Sequence, residues 1–165
     1  MNLLTTQNLV IREFTLGDTS VYYKNNQNEQ IKKFMPNHTH CDENDARDEV
    51  RSFIANYAEL KMPCHWAIVK ADTGTLIGHI GIGEGELIDR TYEICCAIRK
   101  DYRGHHYAAE AVTAFALWCK STYGIGKIYA STNPINIAAG ETLLKAGFTL
   151  QEIECGEEKD TIYVF

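Results

Sequence analysis

The stretch "RKDYRGHHYAAEAV", Arg99 to Val112, sets one glycine among three basic side chains and two histidines and runs straight into an alanine-rich segment. Before it, "TYEICCAIRK" is dense in apolar residues and reads as a central strand. After it, Ala108, Ala111, Val112, Phe115 and Cys119 recur at helical spacing, and "YGIGK" ends that helix. A strand, a glycine turn and a helix start make an anion site, because the first helical N–H groups lack intrahelical partners and the helix dipole adds positive charge. The same pattern also describes a plain turn. No G-x-x-x-x-G-K-[ST] occurs, which excludes a P-loop.

Working outward, "NLVIREF" (Asn8 to Phe14) reads as a β-branched strand, followed by a turn at Gly17 and Asp18. "DENDARDEVRSFIANYAEL" carries Ala46, Val50, Phe53, Ile54 and Tyr57 on one helical stripe, with acidic residues crowded at its start where the dipole favours them. The segment "KKFMPNHTHC" reads as an irregular connection broken by Pro36. "HWAIVKA", the turn "DTGT" and "LIGHIGIGEGEL" predict a hairpin. "KIYAST" is a further strand, "NIAAGETLLKAG" a helix closed by Gly147, and "FTLQEIEC" with "DTIYVF" a closing pair of strands. The expected class is mixed α/β: a mixed, mostly antiparallel sheet of about seven strands with helices on both faces. No repeat, linker or low-complexity tract divides the chain, so one domain over 1–165 is expected.

Composition narrows the function. Apolar residues at 45% and charged residues at 23% are ordinary globular values, and no apolar run approaches the length needed to span a bilayer. The net charge of −6 without clustered Lys and Arg argues against a nucleic-acid-binding face. The start "MNLLTTQNLVIREF" lacks the pattern of a secretory signal, and the six cysteines lack C-x-x-C spacing. The expectation is a cytoplasmic chain with reduced thiols, binding neither membrane nor nucleic acid.

"YRGHHYAAEA" resembles the acetyl-CoA pyrophosphate loop of the GNAT superfamily of N-acetyltransferases, in particular the branch of ribosomal-protein alanine N-acetyltransferases, whose loop commonly reads Y-R-G-x-G-Y-A-x-E-A. Tyr102, Arg103, Gly104, Tyr107, Ala108, Glu110 and Ala111 match. "LVIREFTLGD" resembles the family's first strand and turn, "HWAIVKADTGTLIGHIGI" its hairpin, and "NPINIAAGETLLKAGF", with Asn136, Gly147 and Phe148, its late helix. The resemblance implies acetyl-CoA as co-substrate, without a metal, and transfer of its acetyl group to a primary amine of a small molecule or a protein N-terminus. A homodimer is among the partners it admits. It assigns the pyrophosphate to the backbone of Arg103, Gly104, His105, His106, Tyr107 and Ala108. Pantetheine falls to the strand Cys95, Cys96, Ala97 and Ile98, and Asn136 joins the coenzyme set. His106 stands where the family has a second glycine; if that position requires φ > 0, a histidine costs about 1 kcal/mol or more.

Acetyl transfer needs an unprotonated amine, and a base should take its proton at neutral pH. Glu93, two residues before Cys95 on the same strand, is the first candidate, with Glu84 and Glu86 as seconds acting through water. The competing reading of each is a solvated edge carboxylate. The family's proton donor, Ser three or Tyr seven residues after the Asn, is replaced by Ala139 and Leu143. The resemblance implies an acceptor pocket between the early helices and the sheet, which implicates Phe34, Met35, His38, His40 and Trp66. "HTHCDE" offers His38, His40 and Cys41 as metal ligands, against the plainer reading of a polar loop. The alternative function is a catalytically impaired acyl-CoA-binding or regulatory module on the same fold.

Overall fold

The computed structural model describes residues 1–58, 64–85, 91–151 and 160–165. In chain order these form strands β1 (Asn2–Thr5) and β2 (Leu9–Arg12), then helices α1 (Thr19–Asn26), α2 (Glu29–Phe34) and α3 (Glu43–Tyr57). Strands β3 (Cys64–Lys70), β4 (Leu76–Glu84) and β5 (Tyr92–Ile98) precede helix α4 (Tyr107–Tyr123). Strand β6 (Ile128–Thr132), helix α5 (Ile137–Lys145) and strands β7 (Thr149–Gln151) and β8 (Thr161–Val164) complete the order. Glu86 and Cys155 lie outside the described residues.

All eight strands join one sheet in the order β1-β2-β3-β4-β5-β6-β8-β7, and every pair is antiparallel except β5 with β6. The expected mixed, mostly antiparallel sheet is present with one strand more than expected, β1. On one face, α4 and α5 bury Trp66, Ile80, Ile82, Phe115 and Leu143; on the other, α1 and α3 bury Phe14, Tyr22, Val50 and Phe53.

Local chemistry sets the ends of these elements. Asp42 caps α3, its side chain accepting from the N–H groups of Asn44 and Asp45. Gly124 (φ 66°) and Gly147 (φ 92°) supply the left-handed residues that end α4 and α5. Arg12 grips Asp18 through two 2.8 Å hydrogen bonds and ties β2 to the turn ahead of α1. Two expectations are corrected. The segment before Pro36 holds the short helix α2, with Ile31 alone buried, and Pro36–His38 is a 3-10 turn. Ile54 is exposed, because α3 turns only Ala46, Val50 and Phe53 fully inward.

Candidate active site at the splayed strands

β5 and β6 pair only at Tyr92 with Ile128 and Glu93 with Tyr129, then part. β6 continues beside β8, and β5 runs on to Ile98 against β4 alone. The Arg99 N–H donates to Ile77 O (2.7 Å), which fixes the ladder phase of β5 against β4. By antiparallel alternation, the backbone groups of Cys96 and Ile98 then turn away from β4, into the gap left by β6. Arg103 Nε takes the Ile98 carbonyl at 2.9 Å, as that phase requires.

At the end of β5 the chain passes a 3-10 turn, Lys100–Tyr102, and enters α4 through two left-handed residues, Gly104 (φ 82°) and His106 (φ 62°). His106 is the N-cap, and unlike the extended N-caps of α2 and α3 it is left-handed. The first helical hydrogen bond is Glu110 N–H to His106 O, leaving the N–H groups of Tyr107, Ala108 and Ala109 ahead of the helical ladder. Left-handed residues that alternate this way turn successive N–H groups toward one side, the concavity that holds anions. A Cβ on Gly104 would meet nothing within 4 Å, so the loop is open to an incoming group. The side chain of Arg103 is turned back to Ile98 and to Gln30 Oε1 of α2, and Arg99 is spent on Leu76 O and the Tyr102 ring. What the loop presents is therefore backbone and the exposed imidazoles of His105 and His106, without an arginine.

Glu93 stands where the strands part. Its Oε1 accepts from the Ser131 N–H (3.0 Å) and the Ser131 hydroxyl, so the carboxylate replaces the missing strand partner of β6. Ser131 was not singled out in the sequence, because nothing local ties it to a residue 38 positions away. Glu84 is exposed at the end of β4 opposite Tyr92, and strand alternation puts it on the other sheet face from Glu93. Cys95 and Cys96 are held protonated: burial pushes the Cys95 thiol up to about 12 and Cys96 higher still. Ala97 and Ile98 are buried, and half-buried Asn136 sits at the N-cap of α5. On α5, Leu143 is packed into the core, and the Tyr163 hydroxyl from β8 presses so close to Gly140 that a Cβ there would lie 2.5 Å from it.

On the face of α1 and α3, His38 packs on the sheet and His40 on Tyr22 and Glu49, but Trp66 is on neither side of that contact. It points to the opposite face, against Phe115 and Trp118, with ring centroids 5.1 and 5.5 Å away. His40 Nε2 meets Glu49 at 2.6 Å and Cys41 is exposed, so "HTHC" does not converge as a unit. His38 instead packs on His65 and His79, two strand histidines that the sequence reading left unassigned.

Residues 8–149 match the acetyltransferase (GNAT) domain family. An uncharacterised N-acetyltransferase of Bacillus subtilis (strain 168), YnaD, is 29% identical over 87% of this chain and 81% of its own length. An acetyltransferase structure from Agrobacterium tumefaciens str. C58 superposes with a TM-score of 0.80 at 21% identity, over 98% of this chain and 92% of that one. RimL, a ribosomal-protein alpha-N-acetyltransferase in complex with coenzyme A, gives a TM-score of 0.80 at 12% identity, over 100% of this chain and 97% of its own. The splayed central strands and the loop at the head of α4 thus belong to an acyltransferase fold. The chain is a member of the GNAT acetyltransferase family, an N-acetyltransferase.

Proposed function

We infer that this chain, acting as one catalytic domain, transfers the acetyl group of acetyl-CoA directly to a primary amine of a small molecule or of a protein N-terminus. The observation that carries the reading is the coupling of two features: a strand edge freed by the departure of β6 at Glu93, and a left-handed backbone loop at the head of α4. The residues present fit the coenzyme. The loop from Arg103 to Ala108 offers N–H groups suited to a pyrophosphate, and the edge of β5, at the N–H and carbonyl of Cys96 and the N–H of Ile98, offers backbone partners suited to an amide-bearing arm. RimL, of the same fold, is in complex with coenzyme A.

Acetyl-CoA supplies an acyl group on a good leaving thiolate. The chain supplies the rest: Glu93, at the mouth of the gap, receives the amine proton, and the β5 edge aligns and polarises the reacting carbonyl. Both half-buried thiols have raised pKa values, so neither is a ready nucleophile, which favours direct transfer over an acyl-enzyme. Binding without turnover is the competing reading, favoured by Leu143 filling the position of the family's hydroxyl and by Ser131 occupying one oxygen of Glu93.

Two measurements decide. Coenzyme A release is followed with a panel of small amines and N-terminal peptides; release demonstrates transfer, and its absence across the panel favours the binding module. Calorimetry then compares Gly104→Asp with Gly104→Ala. Both carry the strain of a side chain at φ 82°, and the first alone adds negative charge at the loop. Acetyl-CoA affinity should fall at least about tenfold further in Gly104→Asp than in Gly104→Ala. Equal affinity in the two variants would place the pyrophosphate elsewhere.

A further inference from the structure

His65 and Cys95 are in register across β4: His65 pairs with Gly81, and Gly81 with Cys95. Adjacent strands lie about 4.8 Å apart, so these side chains meet across the width of a strand. They do so because Gly81 has no side chain; a Cβ there would run into the His65 ring. The ring lies over β4 and brings its Nε2 to 3.1 Å from Cys95 Sγ. His38, delivered by the turn after α2, sets its ring 5.1 Å from that of His65. One ligand atom from each of His38, His65 and Cys95 falls within 4.8 Å of the others.

The cluster is short of partners. Nδ1 of His38 and Nδ1 of His65 are buried without a hydrogen bond, and fully buried His79 has neither ring nitrogen satisfied. The His79 ring is 5.6 Å from that of His38 and 6.0 Å from that of His65. Imidazoles and a thiol gathered in this way, with unspent lone pairs, are the donor set of a borderline-soft metal ion.

We propose that His38, His65 and Cys95 bind one divalent transition-metal ion of the zinc class. Two imidazoles and one thiolate leave a fourth tetrahedral position open. Bonds of about 2.0–2.1 Å to nitrogen and 2.3 Å to sulfur put the ligand atoms of such an ion about 3.3–3.7 Å apart, so the cluster tightens by about an ångström. His65 and Cys95 are on strands, and the half-exposed turn Pro36–His38 makes that movement. On binding, the Cys95 S–H bond breaks, an S–metal bond forms and the proton leaves to solvent; no electrons change hands. Glu49, held by the Tyr22 hydroxyl (2.7 Å) and by His40, adds a second negative charge on the same face. The ion would pin the turn after α2 onto the sheet. The site uses the Cys95 side chain on the α1 and α3 face, whereas the coenzyme reading uses backbone at the β6 edge, so the two stand or fall separately.

The full-length, tag-free chain, reduced and stripped with a chelator, is titrated with Co2+ as a spectroscopic probe and then with Zn2+ against a competing indicator. One equivalent of Co2+ should bind with a thiolate charge-transfer band in the near ultraviolet, and Zn2+ should displace it. Cys95→Ser should abolish the band, and His38→Asn, on a turn where circular dichroism should show the fold kept, should weaken binding at least about tenfold. Cys41→Ser, on the neighbouring loop, should leave the band unchanged. No saturable equivalent, a band that survives Cys95→Ser, or a band lost with Cys41→Ser overturns the site. If Cys95→Ser does not fold, unchanged affinity in His38→Asn overturns it instead.

Discussion

Glu93 holds two duties with two oxygens: Oε1 ties β6 through Ser131, and the carboxylate stands at the mouth of the gap. Glu93→Gln keeps an oxygen for Ser131 and removes basicity. Turnover at pH 7 should drop roughly ten- to a thousandfold with acetyl-CoA affinity nearly unchanged, read by steady-state kinetics and calorimetry. Full activity in the variant would leave Glu93 as a strand tie alone. His106 makes the opposite kind of prediction. Its left-handed conformation costs a non-glycine residue about 1 kcal/mol, although histidine tolerates that region better than most. His106→Gly should therefore raise the melting temperature by about 2–4 °C without weakening acetyl-CoA binding; an unchanged or lower melting temperature would mean the imidazole contributes contacts that offset its strain. The demand for φ > 0 at His106 was legible in the sequence, because the family loop has glycine there. The Ser131 tie and the Gly81 crossing were not, since both depend on strand register.

At the level of elements, α4 is anchored by a residue that the loop resemblance merely matched. The Glu110 carboxylate accepts from the Thr6 hydroxyl (2.5 Å), the Asn8 N–H (2.8 Å) and Asn8 Nδ2 (2.9 Å), fastening the first turn of α4 to the β1–β2 connection. Burial pushes this carboxyl up, but the hydrogen bonds from Thr6 and Asn8 outweigh it and leave its pKa below the ordinary value. A folded-state pKa below the unfolded one gives stability that is complete above about pH 4.5 and is lost as pH falls through the folded value. Glu110→Gln turns a donor toward Asn8 Nδ2 and should cost about 1–2 kcal/mol at pH 7. The gap in urea midpoint between wild type and variant should close toward pH 3; a gap independent of pH would show that packing, not the carboxylate, anchors α4. Long elements were readable because periodicity needs length: α3, α4 and the β3–β4 hairpin fall where their patterns put them. β1 and α2 were missed because four residues at a sheet edge and six residues with one buried side chain carry no period.

Across the whole molecule, the sheet parts the two helical layers, and the chemistry proposed at the edge of β5 has a base without the family's usual acid. Ala139 offers no hydroxyl, and Leu143 fills its position with core packing, so no proton donor stands on those two positions of α5. A thiol has a pKa near 8.5, so its thiolate can depart unprotonated at modest cost. If nothing replaces the donor, kcat should rise as the amine loses its proton and then hold a plateau to about pH 9.5, without the descending limb that an acid of tyrosine type would add. The structure narrows where a replacement would sit. Tyr129 pairs with Glu93 and shares the strand face of Ser131, and the Tyr163 hydroxyl lies against Gly140 on α5. Tyr123, by contrast, has its hydroxyl buried without a partner and its pKa pushed up to about 12 by burial, at the far end of α4. Measuring kcat from pH 6 to 10, with the fold checked at each point by circular dichroism, separates the cases. A plateau means that thiolate departure needs no acid, and Tyr129→Phe and Tyr163→Phe should then keep the wild-type profile. A descending limb that disappears in one of those variants would assign the acid to that tyrosine and overturn the expectation of unassisted departure.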